Sequence, residues 1–214
     1  MIRKIALAAA AIVLMYVGYL GWRIVDERKD VAERIDAIVA GADPDELNLP
    51  GRRVAILLRV EDPTFWTNKG IDLSSPGAGM TTLSQGLGKR LFFDRFKPGF
   101  SKGELMALTR FALYPKVDKQ QTLKAVIATA YFGTYQGRAV NGFADGARTW
   151  FGKSLSRLSD REFLELEAML VAPDRLKPGR DDSARKARVS RIARLLAGRC
   201  KPKGLRDVMM DGCA

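Results

Sequence analysis

Glu61 heads the stretch EDPTFWTNKGID and follows the apolar run VAILLRV (54–60). A carboxylate set behind such a run can be partly desolvated, which raises its pKa toward the range useful for a general base. The chain has no histidine, and its two cysteines are Cys200 and Cys213. His-ligated zinc, a His-dependent triad and a four-cysteine metal site are therefore excluded, and acid–base chemistry falls to carboxylates, lysine or tyrosine. Lys89, Arg90 and Arg95 lie together in GKRLFFDRF, side-chain types that can meet a phosphorylated substrate or an anionic lipid. The same residues also admit structural readings: Glu61 as a helix cap or a lysine's partner, and the three cations as a solvated face.

These groups need a scaffold, and 214 residues (23.6 kDa) suit one domain with an appendage. An apolar share of 47% with 28% charged residues excludes a wholly disordered chain. From Ile5 to Trp22 runs an uncharged stretch of 18 residues, which as a helix spans about 27 Å, close to a bilayer's hydrocarbon core. Tyr16, Tyr19 and Trp22 gather at its far end, where amphipathic rings favour the membrane interface. The bulky YLGWRIV that follows offers no small-x-small cleavage site, so the segment is expected to stay as an anchor. Arg3 and Lys4 against Arg23, Arg28 and Lys29 leave its orientation open.

Beyond the anchor, Val31, Ile35, Ile38 and Val39 share one helical face, and Gly41 is a plausible stop. Glu104–Tyr114, Lys119–Tyr131 and Glu162–Val171 also have helical spacing, and Ser159 with Glu162 forms a capping box. Alternating strand patterns are scarce, so the domain is expected to be mainly α.

The net charge of +12 is concentrated between Arg175 and Arg206, where twelve Lys or Arg face only Asp181 and Asp182. Ala184–Leu196 reads as an amphipathic helix with a solvated basic face, or as one drawn to anionic lipid. No aromatic residue interleaves these cations as far as Ala214, and a nucleic-acid partner is not expected.

EDPTFWTNKGID resembles the first motif of glycosyltransferase family 51, the peptidoglycan glycosyltransferases that polymerise lipid II, in Glu61, Asp62, Phe65, Gly70 and Asp72. Asn68 stands where the family has histidine. GMTTLSQGLGK is similar to the second motif through Gly79, Thr82, Gln85, Leu87 and Lys89, with Gly86 in place of a second glutamine. Lys119, Leu123, Phe132 and Gly133 match the fourth motif, in which Val126 and Ala128 replace Tyr and Asn. The third motif places a second glutamate about 16 residues past Lys89; Glu104 reaches it with a one-residue gap. Arg191, Ile192, Leu195 and Leu196 weakly resemble the last motif.

The resemblance implies a lysozyme-like helical glycosyltransferase domain with one N-terminal transmembrane helix. The expected division is anchor 1–22, juxtamembrane stalk 23–49, domain 50–197 and C-terminal tail 198–214. The resemblance further implies Glu61 as general base, Glu104 as second carboxylate, and Asp62, Phe65, Thr82, Gln85, Lys89 and Arg95 as substrate contacts. The implied partners are lipid II, the nascent glycan chain, the membrane and other cell-wall synthesis proteins, and Mg or Mn is a candidate cofactor. The domain is expected on the outer face of the cytoplasmic membrane, an oxidising setting in which Cys200 and Cys213 can pair. Too few residues follow Ala197 for a transpeptidase domain. The departures at Asn68, Gly86, Val126 and Ala128 keep a second reading open, a non-catalytic relative that binds lipid II or cell-wall proteins.

Overall fold

Helices dominate the computed structural model, which describes residues 1–214. Helix α1 (Ile2–Glu27) buries none of its residues and is the one helix long and apolar enough to cross a membrane. It runs past the expected boundary at Trp22, and its last turns dock on the domain. Arg23 donates to Glu27 (2.8 Å), to Glu104 (3.0 Å) and to the carbonyl of Phe92 (2.9 Å).

The expected stalk is folded into the domain. Helix α2 (Val31–Ala40) inserts Val31 and Ile35, both fully buried, beside Leu87, Leu91, Leu108 and Val126. Helix α3 (Pro44–Leu47) opens on a capping box formed by Asp43 and Glu46. Glu46 also accepts from the amide of Ala144 (2.8 Å), so residues 31–49 belong to the packed body. VAILLRV, too short to classify by period, lies within α4 (Gly51–Glu61), which turns Leu57 and Leu58 into the main core and Val60 into a smaller cluster.

Helix α5 (Leu83–Phe92) starts at Thr82, whose capping box uses Gln85. The helix expected from Glu104 begins earlier, as α6 (Phe100–Leu108), and continues as one π turn over Thr109–Leu113. Helix α7 (Lys119–Thr129) leads into an antiparallel hairpin, β1 (Tyr131–Tyr135) and β2 (Arg138–Asn141), with a bulge between Tyr131 and Thr134. Gln136 and Gly137 both have positive φ, as a two-residue hairpin turn of matching twist requires. Helices α8 (Phe143–Phe151), α9 (Asp160–Met169) and α10 (Pro173–Leu176) complete the main core through Phe143, Phe163, Leu166 and Leu176.

Helix α11 (Asp182–Leu196) corrects the expectation of a wholly solvated basic face, because Arg185 and Arg188 are buried. Each faces an acid across a helix boundary, Glu165 for Arg185 (3.4 Å) and Glu61 for Arg188 (3.0 Å). The segment after α11 folds back as a closed loop, with Met210 and Cys213 buried against Val60 and Ile192 and with Cys200 and Cys213 joined by a disulfide. A cross-link over this separation contributes about 3 kcal/mol by constraining the unfolded chain.

Candidate active site

Glu61 is the last residue of α4, and its Oε1 accepts from Arg188 Nη2 at 3.0 Å. Its Oε2 has no protein partner, and about 20% of the side chain is exposed. One oxygen is thus held while the other keeps its lone pairs for an incoming donor. Burial pushes the Glu61 pKa up, and the Arg188 charge and hydrogen bond oppose the rise. Glu167 on α9 is fully buried and neither of its oxygens finds a partner. Burial, then the neighbouring Glu61 charge, hold its carboxyl well above the usual range. Arg188 thus pairs with Glu61, while Glu167 lies near both without a hydrogen-bond partner of its own. Sequence reasoning missed both Glu167 and Arg188, because ELEAM and the basic run around Arg188 read as ordinary helix faces.

The residue after Glu61 ties this centre to the next helix. Asp62 is buried, accepts from the amide of Leu83 (3.0 Å) and receives Asn68 Nδ2 (2.7 Å). Burial raises its pKa to about 6, against the opposing pull of these donors and of Lys119. Asn68 Oδ1 in turn accepts from the amide of Gly70 (2.9 Å) and from Lys119 Nζ (3.1 Å). Lys119 also lies over the Phe65 ring, 4.5 Å from its centroid. Asn68 therefore fills the histidine position as a neutral donor and acceptor that links the start of the first motif to α7.

Several expected substrate contacts are corrected by burial. Phe65 and Gln85 are fully buried, and Asp62 and Thr82 nearly so. Thr82 Oγ1 donates to the carbonyl of Gly70 (2.8 Å) and accepts from the amide of Gln85 (3.1 Å). These side chains pack inside the fold, and of the four only Gln85 keeps an unpartnered donor, Nε2. Glu104 is corrected more strongly. Its Oε1 accepts from Arg23 (3.0 Å) and Tyr19 (3.2 Å) of α1, so it fastens the domain to that helix. The next residue, Leu105, the position the family spacing selects, is buried in the core.

The cations fare differently. Lys89 is half-buried over the Phe96 ring (5.2 Å to its centroid), and burial, then Arg90, lower its pKa. Lys102 donates to the carbonyl of Met80 (2.6 Å) and to Thr81 Oγ1 (2.9 Å), just ahead of α5. Burial, then Lys89, lower its pKa to about 8. Neither lysine is relieved by a carboxylate. Arg95 is exposed in the loop that follows α5. Lys102 was missed by sequence reasoning, because a single lysine ahead of Glu104 carries no signal of its own. Met80–Gln85 is thus where the two halves meet: Asp62, next to Glu61, caps the start of α5, and Lys102 grips the turn before it.

Gly86 leaves open space where the family has a glutamine, with nothing within 4 Å of an added Cβ. Gly86→Gln is expected to stabilise the protein by about 0.5 kcal/mol, because glycine is a poor residue inside a helix. Thermal unfolding checks this, and a lowered midpoint would contradict the open space.

No three His, Cys, Asp or Glu side chains converge as a metal cage. A Mg or Mn ion here would draw most of its oxygen ligands from substrate phosphates and water, as such ions commonly do.

A family model described as transglycosylase matches residues 44–197. Penicillin-binding protein 1B of Haemophilus influenzae is 26% identical over 192 residues, covering 81% of this chain and 24% of that protein. The biosynthetic peptidoglycan transglycosylase of Burkholderia cenocepacia is 28% identical over 151 residues, or 64% of this chain and 60% of that protein. Penicillin-binding protein 1A of Rickettsia prowazekii is 27% identical over 157 residues, 66% of this chain and 19% of that protein. The chain thus spans from about a fifth to three fifths of the length of these relatives.

Proposed function

The chain belongs to the transglycosylase family, and from that premise we propose that it polymerises lipid II into glycan strands with inversion at the anomeric carbon and release of undecaprenyl pyrophosphate. The observation that carries the reading is the joint at Met80–Gln85, which ties Asp62, next to the half-free carboxylate Glu61, to the start of the helix that bears Lys89 and to Lys102, two partly desolvated lysines that no acid neutralises. Glu61 Oε2 takes the proton from the attacking sugar 4-hydroxyl, a poor nucleophile when neutral. The hydroxyl oxygen forms the new bond to the anomeric carbon as the bond to the pyrophosphate oxygen breaks. Lys89 and Lys102, with Arg95 at the rim, receive the charge that develops there. A pyrophosphate needs such donors more than it needs a proton, so one carboxylate suffices. A Mg or Mn ion carried on the substrate phosphates would add to the same charge stabilisation, and no step is routed through it.

The proposed location is the inner membrane, with α1 as a single span and the domain on the outer face. The apolar length of α1 and the Cys200–Cys213 disulfide, a bond favoured in oxidising compartments, support this reading. Other cell-wall synthesis proteins remain proposed partners.

Product analysis tests the reaction. Polymeric glycan and undecaprenyl pyrophosphate are expected from lipid II; free disaccharide would instead mark a hydrolase. For the cation cleft, Lys89→Ala is expected to weaken lipid II or phosphoglycolipid binding about tenfold, the loss of one charge-assisted contact. Unchanged affinity in a direct binding assay would remove Lys89 from the pyrophosphate site.

A further inference from the structure

The segment after Ala197 lies outside the residues that the family model matches, yet it touches the candidate centre from two sides. On one side it meets α11. Arg188, the partner of Glu61, also donates to the carbonyl of Val208. Arg191 donates to the carbonyl of Met209 (3.1 Å) and pairs with Asp211 (2.5 Å), and Arg194 donates to the carbonyl of Cys213 (3.2 Å). On the other side it meets the turn ahead of α5. The amide of Gly77 donates to the carbonyl of Gly204 (2.9 Å), and the amide of Gly79 to that of Leu205 (3.0 Å). Both glycines have positive φ, and an added Cβ would strike Pro202 at Gly77 and Val208 at Gly79. The turn continues into Met80 and Thr81, which hold Lys102.

We propose that the disulfide-closed segment Cys200–Cys213 is a positioning clamp for the reaction centre, setting Glu61 through Arg188 and Lys102 through the Gly77–Thr81 turn. The reading rests on Glu61 as the base. The disulfide shortens the segment into a loop with little freedom, so its carbonyls stay aimed at Arg188 and at the two glycine amides together. Opening the loop leaves two long-range attachments on a flexible tail, and both are expected to loosen. Around Glu61 the charged neighbours are Arg188 from α11 and Glu167 from α9. Losing alignment of Arg188 leaves the carboxylate beside Glu167 with less compensation, so its proton affinity rises.

The test uses the full chain in detergent, comparing the parent with Cys200→Ser/Cys213→Ser by amide hydrogen exchange and by the pH profile of lipid II turnover. The clamp predicts exchange at Gly77 and Gly79 at least tenfold faster, with α9 amides unchanged. It also predicts kcat lowered about tenfold with KM within twofold, and an acid limb moved to higher pH. Unchanged exchange at both glycines would overturn the clamp. So would turnover that falls only with the folded fraction on an unmoved acid limb, the behaviour of a merely stabilising disulfide. If the double variant does not fold, Arg191→Gln, which releases Met209 and Asp211 with the disulfide intact, is read in the same way. A parent without turnover removes the base reading, and exchange at Gly77 and Gly79 then decides the clamp alone.

Discussion

Glu61→Gln is expected to lower lipid II turnover on the order of 10²-fold or more while leaving substrate affinity within a few-fold. Glutamine keeps the size and can still place a carbonyl oxygen against Arg188, which now holds Glu61 Oε1. What disappears is the second oxygen as a proton acceptor. Because the loss lies in the transition state, it should appear in kcat and kcat/KM alike. A structural Glu61 would give a different signature, a lowered unfolding midpoint with turnover falling in proportion to the folded fraction.

Arg188→Met carries the second large effect. It removes the cation paired with Glu61 and near the buried Glu167, at the junction of α4, α9 and α11. Breaking a buried ion pair from one side costs about 3 kcal/mol, and denaturant unfolding at neutral pH should show a loss of that order. Both carboxyl groups have folded-state pKa values above the ordinary glutamate value. Above that value the unfolded chain therefore binds fewer protons than the native one, and stability falls as pH rises toward the folded pKa. The deficit of the variant should accordingly shrink as pH is lowered toward the ordinary glutamate value. A deficit independent of pH would mean that Glu61 and Glu167 are not the groups Arg188 compensates.

How much of this was legible in the sequence depended on the range of each interaction. The long apolar helix α1, the Ser159 capping box and the helical faces of α2 and α9 were readable, because each is set by spacing within one element. The hairpin at Tyr131–Asn141 was not, since its strands are short and its turn is carried by Gln136 and Gly137 rather than by a familiar Asn-Gly pair. The catalytic register failed at a single position. Glu104 satisfied the demand for a second glutamate in composition, but a one-residue shift on a helix turns a side chain by about 100°. It points instead to Arg23 and Tyr19 of α1. Lys102, two residues earlier, was overlooked because its hold on Met80 and Thr81 is a contact across the fold rather than a pattern within one helix. Glu167 and Arg188 were out of reach because their importance comes from burial beside Glu61, across more than a hundred residues of chain. Asn68 shows the converse: a departure from the family pattern reads as a loss, yet its amide still links Asp62, Gly70 and Lys119.

The most direct measurement is conversion of labelled lipid II by the purified full chain in detergent, across several detergent and divalent-ion conditions, with Glu61→Gln beside it. The reading of Glu61 as a base flanked by Lys89 and Lys102 predicts glycan polymer from the parent and on the order of 10²-fold less from the variant. Lipid II bound by the parent but recovered unpolymerised under every condition would contradict it, and would leave a membrane-anchored lipid II-binding relative in its place.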